Sequence, residues 1–150
     1  MYLKSNLSLD CTQCAVHYRS KKRILQYISE LAHKKYPEIP AQDILDSLLS
    51  REKLGSTGIG NGIALPHGRL KGVTKSVAIF LVTEQALDYD AIDNKSVDIF
   101  CALLIPEENS QEHLSTLSEI AQMLSDKPFV KKIRHSTSNE ELFSLIMTDS

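Results

Sequence analysis

The chain has no apolar run approaching the roughly 20 residues that a membrane-spanning helix needs, and Met1 to Asp10 carries no long apolar stretch either. No anchor, targeting segment or membrane insertion is expected. The chain also lacks a charge excess. With a net charge of −2, 24% charged and 42% hydrophobic residues, it is expected to be globular, with neither disorder nor the strongly basic surface of a nucleic-acid binder. Cysteines are few. Cys11, Cys14 and Cys101 form an odd set without a secretion signal, which fits reduced thiols in a cytoplasmic protein better than a disulfide framework. Cys11, Cys14 and His17 make at most half of a zinc site, because no second Cys/His cluster at metal-ligand spacing follows. A redox pair is disfavoured because Ala15 to Tyr18 looks extended rather than helical. Repeats, low-complexity segments and linkers are missing too. At 150 residues the chain can bury a real core but is too short for two ordinary domains, so one domain is expected.

Against this background the apolar periodicity is informative. Ile24, Leu25, Ile28, Leu31 and Ala32 recur at helical spacing between Ser20 and Tyr36, and Ile44, Leu45, Leu48 and Leu49 mark a second helix from about Ala41 that fades before Gly55. Ser76 to Thr83 and Val97 to Ile105 are near-continuous runs of β-branched, aliphatic and aromatic residues, as expected of central strands buried on both faces. Leu114, Leu117, Ile120, Ala121 and Leu124 then define a third helix. Phe129, Val130 and Ile133 define a short fourth, and Leu142, Phe143, Leu145 and Ile146 a fifth. Helices on either side of a strand-rich middle predict a layered α/β (α+β) domain with a central mixed β-sheet.

Glycine is missing almost everywhere. All six glycines (Gly55, Gly58, Gly60, Gly62, Gly68, Gly72) fall between residues 55 and 72, although the chain makes many other turns. Bare backbone N–H groups can cradle an anion, so Gly58, Gly60, Gly62 and Gly68 are candidates for a phosphate-binding loop. A tight crossing of loop and sheet that requires small residues is the plainer alternative. Neither nucleotide signature is present: the third glycine spacing and following helix of a dinucleotide fold are absent, and no Gly-Lys-Ser/Thr follows.

His67 closes the apolar stretch Ile63-Ala64-Leu65 between Pro66 and Gly68. Proline fixes φ and holds the preceding residue extended, so a strand carrying Ile63 and Leu65 is expected to present His67 at its mouth in a defined direction. A histidine held there can act as a nucleophile, one ring nitrogen attacking while the other donates to an orienting acceptor. The alternative is a solvated loop histidine. His113 falls in the first turn of the third helix, with Asn109 or Ser110 as N-cap, and shares the spacing of Leu117 and Ile120, so it is expected to point inward. A core histidine with one satisfied hydrogen bond is equally compatible with that spacing. Arg51, just before the glycine segment, offers a planar fork suited to phosphate oxygens.

The run from Ser50 to Arg69, Ser-Arg-Glu-Lys-Leu-Gly-Ser-Thr-Gly-Ile-Gly-Asn-Gly-Ile-Ala-Leu-Pro-His-Gly-Arg, resembles the signature of the mannitol/fructose-type (type 2) enzyme IIA domains of the bacterial phosphoenolpyruvate-dependent phosphotransferase system. Ser20 to Arg23, Asp90 to Asn94 with Val97 and Asp98, and Ala102 to Pro106 resemble the nitrogen-regulatory branch of that family most closely, and the resemblance covers roughly residues 8 to 147. It implies a mannitol-type IIA fold. It also implies that His67 is the phosphorylated nucleophile, that His113 is a second active-site histidine contacting the phosphoryl group, and that Arg51 helps hold its charge. The donor would be a histidine phosphocarrier protein, and neither a metal nor a bound cofactor would be required. Three functions follow for comparison. One is a phosphorylation-dependent nitrogen regulator acting on protein targets, which the lack of fused IIB or membrane IIC segments fits. Another is a free-standing fructose/mannitol-type IIA passing phosphate to a IIB domain. The last is a non-enzymatic anion-binding module.

Overall fold

The structure, a computed structural model, describes residues 2–108 and 110–148. In chain order the elements are α1 (Tyr2–Asn6), a 3-10 turn (Leu9–Cys11), β1 (Thr12–Val16), α2 (Lys21–Lys35), α3 (Ala41–Glu52), β2 (Gly58–Gly60), β3 (Ile63–Ala64), β4 (His67–Leu70), β5 (Val77–Leu87), β6 (Val97–Pro106), α4 (Ser110–Met123), α5 (Lys127–Arg134) and α6 (Asn139–Thr148). The two apolar runs are the central pair of the sheet, antiparallel to one another from Val77↔Leu104 to Leu87↔Val97. Continuous burial from Val77 to Thr83 and from Ile99 to Pro106 requires cover on both faces. α2 and α3 pack together and reach β5 and β4, whereas α1 and α4 pack together and reach β5 and β6. β1 adds in parallel outside β5, and β3 and β4 both add in parallel outside β6, so the sheet is mixed as expected.

Several helix faces bury the residues that the periodicity selected. Ile24 and Ile28 of α2, Ile44 and Leu48 of α3, Ile120 of α4, Ile133 of α5 and Leu142 and Ile146 of α6 are all at most 1% exposed. Ser20 caps α2 by accepting from the Arg23 N–H, and Asp126 caps α5 by accepting from the Phe129 N–H. Asn109 and the side chains of Ser110 and Leu114 lie outside the described residues, and the expected cap of α4 lies there with them.

The structure differs from expectation at the short elements. β1 spans Thr12–Val16 rather than continuing through Tyr18, and within it Ala15 takes φ +53° where the register against β5 shifts. α1, five residues long, is too short for periodicity to reveal it. The strand carrying Ile63 stops at Ala64, and His67 begins the next strand instead of ending that one. Both segments keep one register along β6, with Ile63↔Ile99, Ala64↔Phe100 and His67↔Leu103, so β3 and β4 are a single strand line interrupted at Leu65–Pro66. Proline has no N–H for the ladder, which is why the line opens at that point. Pro66 still accepts at its carbonyl from the Leu103 N–H at 2.9 Å, and Leu65 turns its N–H to the Thr57 carbonyl at 3.0 Å.

Candidate active site

At the interruption the Leu65 carbonyl lies 2.9 Å from Nδ1 of His67. A carbonyl can only accept, so Nδ1 carries the proton and Nε2 is left with its lone pair. Arg51, one residue from the end of α3, points its Nε–H at that lone pair at 3.2 Å and donates from Nη1 to the Gly55 carbonyl at 2.8 Å. Both hydrogen bonds on the ring therefore agree on one tautomer. The His67 ring is half-buried, and burial pushes its pKa below the usual histidine value. The hydrogen bond to Leu65 opposes that shift, while the positive charge of Arg51, and to a lesser degree that of Arg69, adds to it. His67 is thus a neutral, oriented imidazole with Nε2 as its basic atom.

The mouth of this site is an open cavity of about 720 Å³ bordered by His67, Gly68 and Arg69 of β4 and by the Ser47, Ser50 and Arg51 side of α3. Gly68 allows the approach, since a Cβ there would collide with Ser47 of α3. Arg69, two residues beyond His67 on the same strand, brings a second guanidinium to the cavity. Strand alternation gives the two residues a common face, a signal that the sequence reading left unused.

Glu52, also without an assigned role beforehand, anchors the end of α3. Its side chain is only 5% exposed, pairs with Lys21 at 2.9 Å, and accepts from the Thr57 N–H at 3.1 Å, the Thr57 hydroxyl and the Tyr89 hydroxyl at 3.2 Å. Lys21 also stands 4.5 Å over the Tyr89 ring. Burial with the neighbouring Glu52 charge raises the Tyr89 phenol far above its ordinary value, so it stays a donor. One carboxylate thereby ties α2, α3, the glycine segment and the loop after β5 together, next to the residue that carries the Arg51 fork.

The remaining expected residues fall elsewhere. His113 is half-buried on α4, with Nδ1 3.1 Å from Oγ of Ser76, the residue before β5, and it is not among the described residues lining the His67 cavity. Of the four candidate phosphate-loop glycines, Gly68 alone borders that cavity. A Cβ on Gly58 would come 2.8 Å from the Cβ of Ala91, Gly60 at φ +99° faces Asp93, and Gly62 at φ +80° faces Arg134 and Asp98. The tight-crossing alternative describes these three, because the strand hairpin β2–β3 passes directly against Ala91 and Asp93 of the loop after β5, Asp98 of β6 and Arg134 of α5. Cys11 is buried and Cys14 half-buried, and burial raises both thiols, which disfavours the thiolate a metal or redox site needs. His17 pairs with Glu84 at 2.9 Å instead.

A sequence profile described as "Phosphoenolpyruvate-dependent sugar phosphotransferase system, EIIA 2" matches residues 5–148. The chain belongs to this family. Among relatives of this enzyme IIA, the "Nitrogen regulatory protein" of Escherichia coli (strain K12) is 46% identical over 147 residues, covering 97% of this chain and 90% of that protein. The crystal structure of "Nitrogen Regulatory Protein IIA-Ntr" from Neisseria meningitidis superimposes with a TM-score of 0.90 at 33% identity, covering 97% of this chain and 99% of the other. The crystal structure of IIA mannitol from Escherichia coli has a TM-score of 0.73 at 20% identity over 91% of this chain and 96% of the other, a likeness of fold. Among the described residues no helix is long and apolar enough to cross a membrane.

Two measurements check the geometry of this IIA site. Following the His67 ring by NMR should give a titration midpoint below the unperturbed value of about 6.5. Because the unfolded chain then takes up the proton first, this group's stabilising contribution is complete above about pH 6.5 and is lost as pH falls towards the folded midpoint. A midpoint at or above 6.5 would contradict the assigned surroundings. Glu52→Ala should lower stability in denaturant unfolding by about 2–4 kcal/mol, at the low side of the range for stripping one partner from a buried pair because Lys21 retains access to water; a loss within 0.5 kcal/mol, the ordinary scatter of surface changes, would contradict the anchor.

Proposed function

We propose that this chain is a nitrogen-regulatory IIA protein that accepts a phosphoryl group on Nε2 of His67 from a histidine phosphocarrier protein and acts on other proteins according to its phosphorylation state. The observation that carries the proposal is the paired engagement of the ring, with Nδ1–H donating to Leu65 and Nε2 facing Arg51. A neutral imidazole oriented in this way needs no general base to become a nucleophile.

In the proposed step the His67 lone pair attacks phosphorus in line. The Nε2–P bond forms as the donor's N–P bond breaks, and Nδ1 keeps its proton on the Leu65 carbonyl. Arg51 must release Nε2 for this to happen, and its donors then turn to the equatorial oxygens together with those of Arg69. His113, with Nδ1 beside Ser76 Oγ, assists from α4. The product carries roughly −1.5 to −2 additional charges at the cavity mouth. A partner contacting that mouth can distinguish the two states by charge, which suits a cytoplasmic regulator.

The nitrogen branch is favoured over a free-standing fructose- or mannitol-type transport IIA by the 46% identity to a nitrogen regulatory protein against 20% to the mannitol IIA. Both readings use His67, and they part at the acceptor. Incubation with phosphoenolpyruvate, enzyme I and the phosphocarrier should yield acid-labile, base-stable label on wild type and none on His67→Ala. Arg51→Ala should slow labelling by about 10²-fold, and His113→Ala should slow it less or shorten the life of the label. Label on His67→Ala would overturn the assignment, and rapid passage of label to a fructose- or mannitol-specific IIB domain would overturn the regulatory branch.

A further inference from the structure

A second cavity, of about 390 Å³, lies between the start of β3 and α5. Its floor is apolar and built from Ile63, Leu124 and Val130, all buried. Its rim is cationic, with Lys127, Lys131, Arg134 and His135 lining it. The spacing of Lys127, Val130, Lys131 and Arg134 places them on one face of α5, the face turned to this cavity.

Helix stability does not account for that face. Lys127 sits in the first turn of α5, where the helix dipole disfavours a cation, and no acidic residue offsets it in that turn. Lys127 and Lys131, and again Lys131 and His135, stand four positions apart, a spacing at which like charges repel once the histidine is protonated. Among the described residues the side chains of Lys127, Lys131 and His135 have no hydrogen bond or ion pair. Arg134 is only partly spent: Nε and Nη2 engage Asp98 at 2.9–3.1 Å and Nη2 the Asn61 carbonyl at 2.8 Å, so its Nη1 side remains available. The nearby Asp126 carboxylate is turned to the Phe129 N–H as the helix cap. Unpaired cations thus converge over an apolar floor, in a cavity within the roughly 300–1,000 Å³ range of small-molecule sites.

We propose that this cavity is a binding site for a small, multiply charged organic anion, a phosphate monoester or a polycarboxylate with an apolar or aromatic body. Ile63, Leu124 and Val130 take the body, while Lys127 and Lys131 supply point charges and Arg134 a fork to the anionic groups. The site is separate from His67 and stands whether or not His67 is phosphorylated.

Amide NMR titrations of the full chain test it, with phenyl phosphate and phthalate as the two anion arms and benzyl alcohol as the uncharged control. At least one anion should saturably shift the signals of Ile63, Val130 and Lys131, and the arm that binds more tightly identifies the preferred group. Benzyl alcohol should bind at least tenfold more weakly, and so should the better anion to a Lys127→Gln/Lys131→Gln variant whose melting temperature is unchanged. The proposal is overturned if neither anion saturates, if benzyl alcohol shifts the same signals equally, if the double variant binds as wild type does, or if the shifts centre on Arg51 and His67.

Discussion

The hydrogen bond from His67 Nδ1–H to the Leu65 carbonyl governs the active site. Along this strand line the carbonyls of Gly62, Pro66 and Leu70 bond to β6 or the residue after it, whereas Leu65 faces away from β6 with its N–H on the Thr57 carbonyl, and its own carbonyl meets the ring two residues on. Pro66 interrupts the line without ending it: the same register resumes at His67, so the gap is narrow and the two residues around it are held from both sides. The Leu65 carbonyl then selects the histidine tautomer, and the tautomer selects the reactive atom. Arg51, the lowered His67 pKa and the placement of the cavity all act on an imidazole whose orientation is settled by its own backbone.

Around that bond the protein arranges charge of both signs. Two guanidiniums border the histidine and add to the burial that keeps it neutral while waiting for an anion. The compensating carboxylate, Glu52, is withdrawn one residue away and buried among Lys21, Thr57 and Tyr89. Placed in the cavity, that carboxylate would neutralise Arg51 and repel phosphate. Buried beside it, the same group stiffens the end of α3 and the turn from which Arg51 reaches out. Stability and chemistry are thus served by adjacent residues facing opposite ways.

Much of this is legible in the amino-acid sequence. β5 and β6 announced themselves as continuous apolar runs because both of their faces are covered, and the five longer helices showed the periodicity of one buried side. His67 stood out because a proline and a glycine frame it, and both have structural consequences: Pro66 opens the strand line and Gly68 lets α3 approach. The glycine cluster was visible but ambiguous. Gly58 and Gly60 answer to steric contact with the loop after β5, Gly62 to contact with Asp98 and Arg134, and Gly60 and Gly62 also to positive φ, constraints that look in sequence the same as an anion cradle. Glu52 and Tyr89 were not legible, because their partnership spans 37 residues of chain and is made by tertiary packing. The family resemblance named His113 and Arg51 together, and the structure sets only Arg51 against His67, with His113 on Ser76.

The central claim is that Nε2 of His67 is the atom that receives phosphorus while Nδ1 stays protonated on Leu65. Nitrogen-15 NMR of the histidine rings, before and after phosphorylation by the phosphocarrier, addresses it directly. The account predicts an Nδ1–H tautomer for His67 in the free protein and phosphorus coupling to its Nε2 in the product. An Nε2–H tautomer at the start, or coupling to Nδ1 or to another histidine at the end, would contradict it.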